Sequence, residues 1–449
     1  MKKVFEDKEF LKKLWTLMVP IVLQNLMLAM VAVSDALMLG NVQQDAMSAV
    51  SLATQVQFVQ NMFIGCCAST IGILGAQYWG KGNRQAVDRV FSIGLRINVL
   101  ISIIFFTGCV LFPDFLMSIY TNEQVLIDYG VKYLRIAGYS YLMTGISQCY
   151  LILMKISDHA DTSAKISSLA VVLNIVLNAI LIFGLGPFNP MSVEGAATAT
   201  LIARIVELSL SIGMSFRTGY IHPGLKELVS HDMQLLLDFI KCAYPLLGAY
   251  LFWGIGITLY SVFMGHLGTD ATAANAVAAV VRDIVCCLSV GVGSAGGIIV
   301  GNELGAGDLD KGRDYGEKLL RLSLLIGIIE AVVMLAISPV IMHFVSLTPE
   351  AAQILKGMLA VIALYMIGRG VNDVTINGIF ASGGDTLFDM YSLAVCMWCI
   401  AIPLAALGTF VFHWPVVLVY ACTCLDEVGK LPWVYLHFRK YKWVKDLTR

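Results

Sequence analysis

The sequence is poor in charge for its length. Only 14% of its 449 residues are Asp, Glu, Lys or Arg, whereas 58% are hydrophobic, and the mean hydropathy is +0.78. A water-soluble chain of this size needs a more polar surface, because its core cannot absorb so many apolar side chains. The composition therefore excludes an ordinary soluble protein and indicates an integral membrane protein.

The marks of several other protein classes are also missing. The formal net charge of −1 argues against a nucleic-acid partner, which requires a basic surface. The glycine-rich stretch 289–301 has no Lys-Ser/Thr ending, so we expect no ATP site and an ion gradient as the energy source. The first apolar run is too long for a signal peptide. No cofactor or metal is expected, and the eleven cysteines, which lie mostly in apolar runs, are expected to pack as free thiols.

Twelve apolar runs, separated by polar residues or by glycine and proline, predict twelve membrane-spanning helices. Each run is long enough for a helix to cross the bilayer and too long for a barrel strand. The predicted spans are 14–39, 48–74, 91–112, 130–154, 166–185, 193–215, 235–264, 272–300, 319–341, 355–380, 387–411 and 414–437.

Among the loops, lysines and arginines occur only in alternate ones. They occur at both termini and in the second, fourth, sixth and eighth loops. None occurs in the loops at 40–47, 113–129, 186–192, 265–271, 342–354 and 412–413. Because cytoplasmic loops carry the excess of cationic residues, both termini are predicted to be cytoplasmic.

The two halves of the chain repeat each other at an offset of about 225 residues. Pro20 aligns with Pro245, and "QYWGKGN" (77–83) aligns with "NELGAGD" (302–308). Shared helix composition alone does not align Pro, Gly and Asp at one constant offset. The repeat unit holds six spans, and since six is even, both copies enter the membrane in the same orientation.

We therefore predict an all-α fold of twelve transmembrane helices in two six-helix bundles, related by a pseudo-two-fold axis along the membrane normal, as in two-lobed secondary transporters. The lobes are predicted at 1–216 and 233–449, with a cytoplasmic linker at 217–232. A cleft between such lobes is expected to open alternately to each side of the membrane.

Asp35 is the clearest candidate for the mechanism, because an ionisable residue inside a span usually marks an ion or substrate path. Gln24 and Asp35 share one helix face, which is predicted to point into the first lobe. The alternative is that Asp35 lies near the outer end of its span and is wetted by the interface. Asn174 and Asn178, four residues apart in span 5, either adjust the pKa of such a carboxylate or only hold helices together.

The second half carries charged residues inside its own spans. Arg282 and Asp283 are adjacent, so they are expected to face different directions and to form no simple intrahelical pair. Arg369 and Asp373 are an i,i+4 pair, compatible with a functional site or with mutual neutralisation. Glu330 has no predicted partner. The candidates for a substrate cleft or second-lobe site are Gln24, Tyr260, Arg282, Asp283, Tyr365, Arg369 and Asp373. Structural i,i+3 pairs are predicted for Arg204 with Glu207 and for Glu427 with Lys430.

Several motifs resemble the multidrug and toxic compound extrusion (MATE) transporter family along essentially the full chain. They are "SDALMLG" in span 1, "GAQYWGKGN" with its counterpart "GNELGAGD", "LNIVLNAILIFG", "VEGAATAT", "GIFASGGDT" and the basic tail "FRKYKWVKDLTR". The resemblance implies two six-helix bundles in a V that export amphipathic organic cations against an inward flow of protons or sodium.

The resemblance also implies roles for individual residues. Asp35 matches a span-1 aspartate that the family protonates during its cycle. Asn174 matches a span-5 asparagine of the proton-coupled branch, and Thr200 resembles a span-6 threonine near the same pocket. Asn178 stands where that branch often has a second aspartate. The span-7 glutamate of the sodium-coupled branch has no counterpart in "YLFWGIG" (250–256).

We predict a secondary antiporter rather than an enzyme, a monomer in the inner membrane that exports cationic organic compounds in exchange for protons or sodium. One alternative is a lipid-linked glycan flippase, which needs cationic residues for a pyrophosphate and has only Arg282 and Arg369 available. The other is a membrane-embedded enzyme, which needs clustered catalytic groups, whereas His159, His266 and His343 are isolated in the sequence.

Overall fold

The computed structural model of the chain describes residues 6–40, 44–184, 189–224, 232–345 and 347–448. Within these ranges the protein is all-helical, without a β-strand, so the predicted all-α membrane fold is confirmed. All eleven cysteines lie in these ranges as free thiols, and all except Cys399 are buried.

Within the described ranges, twelve helical segments overlap the twelve predicted spans, and we number them α1 to α12 in chain order. In the first half they are α1 (Lys8–Gly40), α2 (Gln44–Gly80), α3 (Arg84–Leu111), α4 (Gln124–Ile156), α5 (Ala160–Phe183) and α6 (Ser192–Ser215). In the second half they are α7 (Met233–His266), α8 (Thr269–Gly305), α9 (Leu309–Phe344), α10 (Pro349–Phe380), α11 (Leu387–Phe410) and α12 (416–438). A short helix, Pro113–Ser118, precedes α4.

Among the described residues, ten helices are long and apolar enough to cross a bilayer by themselves. The other two are α4 and α12. α4 is less apolar because it buries a polar face that includes Ser140, Thr144 and Ser147. α12 is interrupted near Cys424 and Gly429, so each of its three pieces is short.

The chain divides into two compact units of contacting residues. One, here called the N-unit, comprises Leu23–Gly75 and Asn83–Ile240. The other, here called the C-unit, comprises Met1–Val22, Ala76–Gly82 and Lys241–Arg449. The predicted lobe limits stay predictions, and residues 225–231 of the predicted linker lie outside the described part of the chain.

In the N-unit, α4 packs against α3 and α6, and buried polar side chains join the helices. Gln60 Nε2 of α2 donates to the Tyr141 carbonyl at 3.0 Å. Glu207 of α6 accepts from Ser147 Oγ of α4 at 3.1 Å and forms the predicted ion pair with Arg204. Hydrogen bonds between helices stabilise packing in membranes, where apolar side chains gain little by leaving lipid.

In the C-unit, the ends of α2 and α8 cross at the two repeated glycine motifs. A Cβ atom added to Gly80 would lie 1.9 Å from the Asn302 carbonyl oxygen, and one added to Gly305 would lie 1.9 Å from the Gln77 carbonyl oxygen. Gln77 and Gly80 align with Asn302 and Gly305 in the sequence repeat. The contact is therefore reciprocal, as expected where repeated elements meet at a local two-fold axis.

The "GGDT" motif after α10 and the basic C-terminal segment pack together in the C-unit. Gly383 lies so close to the Trp443 carbonyl that an added Cβ would overlap its oxygen, and Trp443 is completely buried. Gln77 Nε2 donates to the carbonyls of Ser382 at 2.6 Å and Lys445 at 3.1 Å. The motif and the tail that carry the family resemblance therefore have structural roles.

The N-terminal segment is held in the C-unit by α8 and α9. Asp7 pairs with Lys318 at 2.6 Å, and Lys13 pairs with Glu303 at 3.0 Å. The hydrogen bond from the Lys318 ammonium lowers the pKa of the Asp7 carboxyl below its usual value. Ion pairs thus hold the start of α1, which precedes the apolar part of the helix, against α8 and α9.

Candidate functional sites

The described part of α1 presents Gln24 to the interior of the N-unit. Gln24 is 2% exposed, and its Nε2 donates to Ser167 Oγ of α5 at 2.7 Å. α1 and α5 therefore contact each other through polar side chains. The side chain of Asp35 lies outside the described residues, so its proposed role stays a prediction.

Asn174, Asn178 and Thr200 form one hydrogen-bonded chain in the N-unit. Asn178 Nδ2 donates to Asn174 Oδ1 at 3.3 Å, and Asn174 Nδ2 donates to Thr200 Oγ1 at 3.2 Å. The Thr200 hydroxyl donates to the Ala196 carbonyl at 3.0 Å. Both asparagines are buried. The structure thus brings together three of the four residues predicted to take part in ion coupling.

The C-unit brings several second-lobe candidates to one small cavity between α7, α8, α10 and α12. Its lining includes Tyr260, Arg282 and Tyr365, which were candidates from the sequence, together with Tyr420 and Asp426. Asp283, Arg369 and Asp373 are not among its lining residues. The predicted set therefore does not form one site: Tyr260, Arg282 and Tyr365 line the cavity, whereas Arg369 and Asp373 belong to a separate charged network.

The expectation that Arg282 and Asp283 form no intrahelical pair was wrong. Arg282 Nε and Nη2 both donate to Asp283 Oδ1, at 3.0 and 2.9 Å. Adjacent residues on a helix do point in different directions, but the long arginine side chain turns back far enough to reach its neighbour. The guanidinium is mostly buried, whereas Asp283 is exposed.

Arg369 is the centre of the charged network. Its guanidinium contacts Asp373 at 2.9 Å, as the i,i+4 spacing predicted, and also Glu427 of α12 at 3.2 Å. Lys430 reaches Glu427 at 3.1 Å, which is the predicted i,i+3 pair. Asn372 Nδ2 donates to Glu427 Oε2 at 2.7 Å. The two pairs inferred separately from the sequence therefore form one buried network that joins α10 to α12.

Ser289 of α8 connects this network to Glu330 of α9. Its hydroxyl donates to Asp373 Oδ2 at 3.2 Å, and its backbone N–H donates to Glu330 Oε1 at 2.8 Å. Glu330, for which the sequence offered no partner, is 1% exposed. Asp373 also begins a π-helical turn, Asp373–Phe380, a local geometry that is frequent at functional sites.

Sequence reasoning missed Asp426 and Ser289. Asp426 and Glu427 are consecutive acids inside predicted span 12, which was the signal available for the first. Ser289 gave no signal, since a serine in a small-residue stretch is ordinary in membrane helices. No cluster of possible metal ligands occurs among the described residues.

The described residues contain ten helices long and apolar enough to span a membrane. Together with the internal repeat and the buried ionisable groups inside these helices, they define the class: a polytopic membrane transporter. The MatE family model matches residues 20–180 and, separately, residues 245–407. The chain therefore belongs to the MatE family. The two matches begin at Pro20 and Pro245, the two prolines that align in the repeat.

Similar proteins cover nearly the whole chain. The "Probable multidrug resistance protein NorM" of Thermotoga maritima is 24% identical over 448 residues, which are 99% of this chain and 96% of that protein. The "Uncharacterized transporter YisQ" of Bacillus subtilis is 22% identical over 444 residues, which are 98% of this chain and 96% of that protein.

Solved transporter structures share the fold. A MOP superfamily transporter from Pyrococcus furiosus has a TM-score of 0.87 at 15% identity and covers 96% of this chain and 95% of its own. A mutant of the Vibrio cholerae MATE transporter VcmN has a TM-score of 0.88 at 14% identity, over 96% of this chain and 97% of its own.

Proposed function

We propose that the protein is a secondary antiporter that exports amphipathic, often cationic, organic compounds in exchange for protons. It works by alternating access as a monomer in the inner membrane, with both termini in the cytoplasm. Relatives that are named multidrug resistance proteins support the export of organic compounds. The cationic residues of alternate loops support the orientation.

The observation that carries proton coupling is the buried chain of Asn178, Asn174 and Thr200 in the N-unit. Amide groups both donate and accept hydrogen bonds, so they can accommodate a carboxylate or a carboxylic acid. Asp35 lies on α1, which contacts α5 through Gln24 and Ser167. In our proposal this chain donates hydrogen bonds to the Asp35 carboxylate and accepts one from the protonated Asp35 carboxylic acid.

The cycle follows from the charge on Asp35. The deprotonated carboxylate favours a bound organic cation. A proton that arrives from outside neutralises the carboxylate and weakens cation binding, so the substrate leaves outward. The protonated protein then reorients and releases its proton to the cytoplasm. Each pH unit across the membrane supplies about 1.4 kcal/mol per proton.

One observation argues against coupling to sodium, and another argues against a lipid-linked glycan flippase. Span 7 has no acidic residue at the position where the sodium-coupled branch carries its glutamate. A flippase for a pyrophosphate lipid needs available cationic groups, whereas Arg282 is engaged by Asp283, and Arg369 by Asp373 and Glu427.

Substitution of Asp35 tests the proposal. Asp35→Asn retains the size of the side chain and removes its charge, so drug resistance of cells that express the variant should be lost at unchanged protein level. Asp45→Asn, at an exposed position near the start of α2, is the matched control and should retain resistance. Resistance of the Asp35 variant equal to that of the wild type would remove Asp35 from the mechanism.

A further inference from the structure

The cavity in the C-unit has aromatic walls and one carboxylate. Its lining includes the side chains of Tyr260 on α7, Tyr365 on α10 and Tyr420 and Asp426 on α12. Its volume is about 50 Å³, several times the roughly 10–15 Å³ that one water molecule requires. It is much smaller than a drug-sized molecule, whose pocket takes about 300–1,000 Å³. The cavity therefore has room for one end group of a ligand.

One of the two carboxylate oxygens of Asp426 accepts no hydrogen bond from the described residues. The residue is 3% exposed, and Tyr260 OH donates to its Oδ2 over a long 3.4 Å. Its Oδ1 is buried and has no hydrogen-bond partner among the described residues. A buried carboxylate oxygen without a donor carries the full penalty of its lost hydration. Such an atom indicates that a donor is missing.

The cationic side chains around the cavity are engaged by other acids. Arg282, which also lines it, donates twice to Asp283. Lys430, one turn beyond Asp426, is bound to Glu427. Because the Arg282–Asp283 pair is neutral as a whole, Asp426 is the lining residue that can give the cavity a net negative charge.

We propose that this cavity binds the ammonium end of an organic cation, with Asp426 as its counter-ion and the tyrosine rings as its walls. An ammonium N–H donor would satisfy Asp426 Oδ1 in a charge-assisted hydrogen bond. Tyrosine rings attract an organic cation through their faces. The inference rests on the proposed function, because it treats this cavity as a subsite for the exported compounds.

The test is binding by the purified full-length protein in lipid nanodiscs. The probe is a dansyl-labelled alkylamine, and its N-acetylated form is the neutral comparison. The wild type should bind the amine at least tenfold more tightly than the neutral form. Asp426→Asn should abolish this preference, and Asp426→Glu should retain much of it. Asp389→Asn, a matched change at an acid of the same unit that does not line the cavity, should bind like the wild type.

Each outcome decides the assignment. An undiminished preference in Asp426→Asn overturns it, as does displacement of the amine by sodium at concentrations where choline has no effect, since the site then binds an inorganic cation. Transport in vesicles separates this inference from the proposed function. Binding that depends on Asp426 without proton-driven transport by the wild type would overturn only the antiport, whereas proton-driven transport with undiminished binding by Asp426→Asn would overturn only the cavity.

Discussion

At the scale of single residues, the buried charges of the C-unit depend on one another. Arg369 forms an ion pair with both Asp373 and Glu427, and the side chains of both acids are no more than 5% exposed. An ion removed from water is stable only while its partner remains, so loss of one member of a buried pair is strongly destabilising.

Arg369→Met should therefore reduce the free energy of unfolding by about 3–5 kcal/mol, because two buried carboxylates lose their shared cation. The measurement is denaturant unfolding of the purified protein. Lys165→Met is the control: Lys165 forms an i,i+4 pair with Asp161 in which both side chains are exposed, and it should unfold like the wild type. Equal free energies of unfolding for the two variants would contradict the claim that the ion pairs of Arg369 stabilise the protein.

The sequence predicted residue pairs where spacing alone determines contact, and it failed where side-chain length or tertiary packing decides. The i,i+4 and i,i+3 pairs of Arg369 with Asp373 and of Lys430 with Glu427 could be derived from helix geometry. The bond between Arg282 and Asp283 could not, because it depends on how the guanidinium turns back. The link from Arg369 to Glu427 joins α10 to α12, and no local pattern encodes it.

At the scale of helices, Gly80 and Gly305 allow the backbones of α2 and α8 to approach closely where the repeated glycine motifs meet in the C-unit. Gly80 and Gly305 each contact a backbone carbonyl of the other motif. Hydrophobic runs predicted the helices, and the constant offset predicted that these motifs correspond. The π-helical turns Asp373–Phe380 and Ala394–Ala401 had no such signal, since their residues continue the same apolar pattern.

Gly80→Ala and Gly305→Ala should each destabilise the protein by about 1–3 kcal/mol, because the added methyl group must push the α2–α8 crossing apart. Thermal unfolding in nanodiscs measures this. Gly213→Ala on α6 is the matched control, since an added Cβ there meets no atom within 4 Å. Unfolding temperatures of the Gly80 and Gly305 variants at or above that of the Gly213 variant would show that the crossing is not tightly packed.

At the scale of the whole molecule, the repeat and the family establish a membrane transporter, and the energy source is the central claim of our proposal. The amide chain of the N-unit favours protons, as does the lack of an acid in "YLFWGIG" (250–256), where the sodium-coupled branch carries its span-7 glutamate. Either gradient is thermodynamically able to drive export, so only a measurement that imposes them one at a time separates them.

That measurement is uptake of a fluorescent organic cation into everted membrane vesicles, with an acidic lumen in one experiment and a sodium-rich lumen at equal pH in the other. We predict accumulation with the acidic lumen, none with sodium alone, and loss of the proton-driven signal in Asp35→Asn. Accumulation driven by sodium but not by the acidic lumen, or proton-driven accumulation that persists in Asp35→Asn, would contradict the account.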